Sequence, residues 1–284
     1  MNSEEGKVIA ERFFQNASFV ASYMNGLHPK LLENLKGSKN DREKRLVSLY
    51  QRSLAWMLTL VNLNKVTYFQ AIVAGTRALL ETTVDIVLMH HDKGPQSTSK
   101  MEWWEESEKL KAAEALMKYF ERSRKPVSDP YLPIEDFVKN RKAEIDQQRL
   151  VLWPNPKNNK PRHPTRWTGD WDLLTDVREV DKLRGAAIKE ELGTSLEEFY
   201  ETTFRSMCWN THGSGLGGIR GLDTDGFLSL CATALKWSSD LAMFSTKIVL
   251  ADFGLTDQLQ EWNSAKAYRI QICLGQVQIP GVSG

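Results

Sequence analysis

The sequence predicts an all-α protein. Apolar residues recur at steps of three and four along most of the chain. There is no fixed-period repeat and no alternation of strand and helix patterns. Three stretches of poor pattern, two of them rich in proline, separate the periodic segments.

The first periodic segment follows Asp41, which stands where a helix N-cap is expected. Leu46, Leu49, Tyr50, Ser53, Leu54, Met57, Leu58 and Val61 form one continuous stripe of an amphipathic helix. A second helix is expected over about 65–89, apolar on most sides and therefore central. Asp92 to Lys100 reads as a linker, and more polar helices are expected over Met101 to Arg122 and Ile134 to Arg149. Between these two, Ser123 to Pro133 is a proline-bearing connection. Val151 to Trp171 is a long Pro-rich loop, and long loops in compact domains are often functional or disordered.

Next comes a helix starting near Ser195. Ser195 and Glu198 have capping-box spacing, in which the hydroxyl takes a backbone N–H and the carboxylate reaches back to the cap. Phe199, Tyr200, Phe204 and Met207 form its expected buried stripe, and Gly213, Gly215, Gly217 and Gly218 end it. Phe227, Leu230, Cys231, Ala234, Leu241, Phe244 and Ile248 mark a last stripe that stops near Gly254. The tail ICLGQVQIPGVSG reads as a short strand or a loose end. The expected organisation is one helical domain over 1–284, with a core of about 41–92 and 173–264, an insertion of about 93–172 and a loose tail at 275–284.

Composition narrows the function classes. Of 284 residues, 41% are hydrophobic and 26% charged, and the net charge is +1, so a general polyanion coat is not expected. Nucleic-acid contact would have to come from a local patch. The opening MNSEEGKVIAERFF lacks the basic and apolar regions of a secretory signal. The apolar run Leu54 to Leu63 is too short to span a bilayer, and Lys236, Asp240 and Lys247 interrupt Phe227 to Leu250. No membrane association is expected. Cys208, Cys231 and Cys273 are odd in number and widely spaced, which fits a reducing cytoplasm and neither a disulfide framework nor a zinc knuckle.

The most pointed chemical signal is Arg205-Ser-Met-Cys-Trp-Asn-Thr-His212. Seven helical steps make almost two rotations, so both side chains fall on one face, about two turns apart. That face lies roughly opposite the Phe199/Met207 stripe. An imidazole moves protons near neutral pH, and a guanidinium stabilises charge developing on a phosphate. Together they suffice in principle for metal-free RNA cleavage. The structural alternative is a helical Glu201–Arg205 ion pair, with His212 complementing the helix end.

An arginine, six intervening residues and a histidine near a late helix end resembles the signature of HEPN domains (higher eukaryotes and prokaryotes nucleotide-binding). The chain also resembles an uncharacterised bacterial HEPN-like family, through Arg77-Ala-Leu-Leu-Glu81 and Thr211-His212-Gly213-Ser214. The resemblance covers roughly 47–89 and 195–250. It implies a HEPN-like helical bundle with long loop insertions and a homodimer. In many members it implies a metal-independent ribonuclease used in toxin–antitoxin or anti-phage systems, without cofactor or metal. Arg205 and His212 would be catalytic, with Arg77, Glu81, Glu201 and Ser214 organising them. Other members are inert modules that bind a nucleotide, an RNA or a partner protein, including one encoded in the same operon. The long middle insertion departs from minimal HEPN domains.

Two further constellations stand beside this. Arg77, Glu81 and Asp85 recur every fourth residue on an apolar helix, either as a self-satisfying ladder or as a row that orients His212 or Arg205. Lys157, Lys160, Arg162, His163 and Arg166 interleave with Trp153, Trp167 and Trp171. Basic groups meet phosphates and aromatic faces stack on unpaired bases, which suits single-stranded RNA or a tRNA loop. The alternative is a surface excursion held down by its tryptophans. Gly213 to Gly218 satisfies G-x-G-x-x-G, but follows a helix and so fails as a dinucleotide motif. His90-His91-Asp92 holds metal-ligand types, yet adjacent helical histidines diverge, so dipole complementation is expected there. Glu102, Glu105, Glu106 and Glu108 read as a solvated face with Lys109 and Lys111.

Overall fold

A computed structural model describes residues 3–63, 65–92, 95–123, 132–154, 164–169, 172–207 and 224–277. Among these residues 88% are helical and none are in strands, so the all-α expectation holds. The elements are α1 (Ser3–Leu35), α2 (Asp41–Asn62), α3 (Phe69–His91), α4 (Pro95–Ser123), α5 (Leu132–Leu152), α6 (Leu173–Leu192), α7 (196–207), α8 (Thr224–Asp252) and α9 (Thr256–Cys273). The chain divides into two compact units, Met1–Lys93 with Val177–Gly284, and Gly94–Asp176. No described helix is long and apolar enough to cross a membrane.

In the larger unit α8 packs on α1, α2, α3 and α9. Small polar residues let α3 and α8 approach closely. Thr76 Oγ1 lies 2.9 Å from Ser238 Oγ, and Thr83 Oγ1 donates to the Leu241 carbonyl. The predicted stripe of α2 is buried at Leu46, Leu49, Tyr50, Ser53, Leu54 and Met57, but Leu58 is 41% exposed. The N-cap is Asn40, one residue before the expected Asp41, and its side chain accepts from the Arg42 N–H. Leu60 takes the inward position instead of Val61.

The helix α1 lies outside the expected core and is nevertheless central to it. Ala10, Phe14, Ala17, Val20, Met24, Leu27 and Leu31 form a buried stripe at helical spacing. Each large member of such a stripe contributes roughly 1.5–3 kcal/mol on burial. Tyr50 of α2 donates its hydroxyl to the Met24 carbonyl at 2.7 Å, joining α2 to α1.

Two further boundaries differ from expectation. Residues 95–100, read as linker, are the first turns of α4, because proline at a first helical position costs no hydrogen bond. Of the tail, Ile272 and Cys273 close α9, and residues 278–284 lie outside the described residues. The expected stop near Gly254 is present. Gly254 has φ +65°, and Leu255 N–H reaches back to the Leu250 carbonyl while Gly254 N–H meets Ala251, a Schellman arrangement.

In the smaller unit α4 packs on α5. Its centre is Arg149, 1% exposed, which donates to Ser107 Oγ, to the Ser107 carbonyl and to Asp146. Glu106 pairs with Lys109 and Glu108 with Lys111, as read for a solvated face.

Candidate functional site

The segment carrying Arg205 begins with strong local anchoring. Ser195 Oγ accepts from Glu198 N–H at 3.1 Å, the first half of the expected capping box. The Glu198 carboxylate, expected to return to the cap, accepts from the Thr194 hydroxyl. A second cap comes from α6. Asp181 takes the N–H groups of Leu196 and Glu197 at 3.0 and 2.8 Å, placing a carboxylate on the positive end of the helix. Arg178 of α6 pairs with Glu197 at 2.7 Å.

Residues Phe199–Phe204 then form a π-helical turn. Arg205 N–H donates to the Tyr200 carbonyl, the wider spacing that defines this turn. Such turns are rare and recur at functional sites. Tertiary packing holds this one. Phe199 stacks on Trp237 at 3.9 Å between ring centroids, and Phe199, Phe204 and Met207 are 1%, 4% and 0% exposed. Arg205 emerges on the other side, its side chain 62% exposed. Arg205 Nη1 lies 2.7 Å from Glu201 Oε2, and its guanidinium sits 5.9 Å from the Tyr200 ring centroid.

His212 and Ser214 lie outside the described residues, as do Gly213 to Gly218 and Cys208. Lys157, Lys160, Arg162 and His163 also lie outside them. Arg77 and Glu81 pair through Nε and Oε1 at 2.9 Å, half exposed at Arg77, while Asp85 of the same row is 7% exposed.

Arg166 and Trp167 are described, and both face inward. Arg166 pairs with Asp176, whose side chain is 2% exposed and also accepts from Thr168. Trp167 is 5% exposed, and its carbonyl accepts from Trp153 Nε1. A nearly buried carboxylate needs a cation, and indoles cover apolar surface, so these residues hold the loop against its own unit. Neither is presented to a phosphate or a base in this arrangement.

A cluster at the far end of the larger unit was not visible as a unit in the sequence. Arg42 of α2 grips Asp252 of α8 through Nη1 and Nη2 at 3.0 and 2.5 Å, and donates to the carbonyls of Met89 and His90. His90 Nδ1 lies 2.8 Å from Asp252 Oδ1. Arg184 of α6 places Nη2 on His90 Nε2 and donates from Nε to His91 Nε2, both at 2.7 Å. The carboxylate only accepts and the guanidinium only donates, so the geometry fits a neutral His90 carrying its proton on Nδ1. Burial pushes the Asp252 pKa up, but the hydrogen bonds from His90 and Arg42 and the positive charge of Arg42 outweigh it and hold the carboxyl below its ordinary value. Arg42 also covers the last carbonyls of α3, the role expected of His90 and His91. No grouping of three or more metal-ligand residues occurs among the described residues. Burial pushes the Cys231 thiol up to about 12, so it serves as a small apolar group.

Comparison with protein-family models, with curated protein sequences and with solved structures finds no significant match to this chain.

Proposed function

We propose that this chain is a HEPN-like, metal-independent endoribonuclease, with Arg205 and His212 as the reacting pair. The observation that carries the reading is the placement of Arg205. A π turn interrupts the helix directly before it, a buried aromatic stripe fixes that turn, and the guanidinium stands in solvent. His212 takes the proton of a ribose 2′-hydroxyl, the 2′-oxygen attacks the adjacent phosphorus, and the bond to the 5′-oxygen breaks as that oxygen takes a proton from solvent water. The products are a 2′,3′-cyclic phosphate and a 5′-hydroxyl. Arg205 steadies the extra negative charge of the pentacoordinate phosphorus. Glu201 holds the guanidinium in place before RNA arrives. Arg77, Glu81 and Ser214 retain the organising role that the resemblance implies, and the cleft is shared between two copies of the chain. A toxin or anti-phage role in the cytoplasm, with RNA or tRNA as target, follows from the same reading.

A second reading has an observation of its own. The 2.7 Å Glu201–Arg205 pair already satisfies the arginine, as a non-catalytic module binding a nucleotide, RNA or partner protein would allow. One experiment separates the two. Purified protein is incubated with RNA in EDTA, and the fragment ends are characterised. Ends bearing 2′,3′-cyclic phosphate, lost in His212→Ala, support the enzyme. Equal cleavage by wild type and His212→Ala removes the assignment, and RNA retention without cleavage favours the binding module.

A further inference from the structure

Lys236, Asp240 and Lys247 interrupt the apolar run of α8 at spacings that put all three on one helical face. Lys236 and Asp240 line an open cleft of ≈ 230 Å³, together with Asn16 of α1, Glu191 of α6 and Lys266 and Arg269 of α9. Asp240 bridges Lys236, at 2.8 Å, and Arg269. Glu191 bridges Lys247 and Lys266, the latter at 2.9 Å. Among the side chains that line the cleft, Lys236, Lys266 and Arg269 stand against Asp240 and Glu191, which leaves one positive charge in excess.

The hydrogen bonds are also incomplete. Arg269 uses Nε on Asn16 Oδ1, at 3.0 Å, and Nη2 on Asp240, while its Nη1 has no partner among the described residues. Asn16 is 0% exposed, and with Oδ1 committed to Arg269 its Nδ2 is left without an acceptor among the described residues. Surplus positive charge in a partly covered place is unfavourable to the fold alone. An anionic head placed here offsets that charge and can accept from the open Nη1 of Arg269. The remaining lining is apolar. Phe13 stands beside Ile270 and Leu274, which are 53% and 58% exposed. Burial pushes the Cys273 thiol up, so it adds a neutral wall. Apolar walls with a few convergent polar groups are the usual form of a small-molecule site.

We infer that this cleft binds a small organic anion, a carboxylate or phosphate head on an apolar body. The head meets Arg269, Lys236 and Lys266, and the body lies against Phe13, Ile270 and Leu274. The site is separate from Arg205. It is joined to the π turn through Trp237, whose ring centroid lies 4.8 Å from Lys236 Nζ and which stacks on Phe199.

The test is calorimetric titration and thermal melting of the full chain with phenyl phosphate, phenylacetate, inorganic phosphate and benzyl alcohol. Saturable one-to-one binding of at least one aromatic anion is expected, with none for benzyl alcohol. Which anion binds identifies the head. Loss of one charge-assisted contact in Lys266→Met or Arg269→Gln should weaken binding by about tenfold or more. Lys266 is partly exposed, so its variant carries the test if Arg269→Gln does not fold. Three results would overturn the proposal: no saturable binding of either anion, equal binding by wild type and Lys266→Met, or inorganic phosphate binding as tightly as phenyl phosphate.

Discussion

Two of the places where an arginine meets a carboxylate have opposite surroundings. Arg42 and Asp252 join helices 210 residues apart in sequence, with 13% and 5% of their side chains exposed. Arg205 and Glu201 are neighbours on one helix, 62% and 33% exposed. The first pair is also met by His90, by two backbone carbonyls and, through His90, by Arg184. The second has one carboxylate, the Tyr200 ring and open water. A charge that is covered and paired within the fold is held by it. An exposed charge with few contacts can change partners at small cost.

The comparison can be broken most severely at Asp252. Asp252→Ala leaves Arg42 covered and unpaired, and frees His90 and Arg184 from their register. A loss of about 3–5 kcal/mol is expected in chemical denaturation. A loss below about 1 kcal/mol, the range of an exposed pair, would place this cluster in the same class as Glu201–Arg205.

Acid offers a milder way to open the same cluster. The Asp252 pKa is lowered in the folded chain, so its stabilisation is fully present above the unfolded value of about 3.9 and disappears as pH falls through the folded value. The difference in melting temperature between wild type and Asp252→Asn should therefore be constant from pH 7 to about 5 and close below about pH 4. A difference that persists unchanged to lower pH would show that the charge of Asp252 contributes nothing.

How far the sequence reaches depends on the kind of contact. Local periodicity was legible. The stripe of α2 is buried almost as read, and the Phe199, Phe204 and Met207 face points inward. The missed α1 carries much of its contact through alanines, Ala10, Ala17 and Ala21, which permit close approach but give a weak hydropathy signal. The π turn follows from stacking between Phe199 and a tryptophan in a different helix, which no local pattern encodes. His90 and His91 stand in the last turn of α3, as expected, but their partners Asp252 and Arg184 are 162 and 94 or 93 residues away and cannot be seen from local pattern. In the sequence Lys236, Asp240 and Lys247 stand only as interruptions of an apolar run. Their meeting with Glu191, Lys266 and Arg269 depends on tertiary packing of three helices.

The smallest expected effect on stability is also the most informative. If Arg205 is held in solvent for chemistry, Arg205→Ala should cost less than about 1 kcal/mol, the range for an exposed helical ion pair. The same variant should lose RNA cleavage in EDTA. Melting and cleavage measured on one preparation of Arg205→Ala test this together. An unchanged melting curve with cleavage abolished is the predicted result. Unchanged cleavage, or a collapse of stability comparable to that of Asp252→Ala, would contradict it.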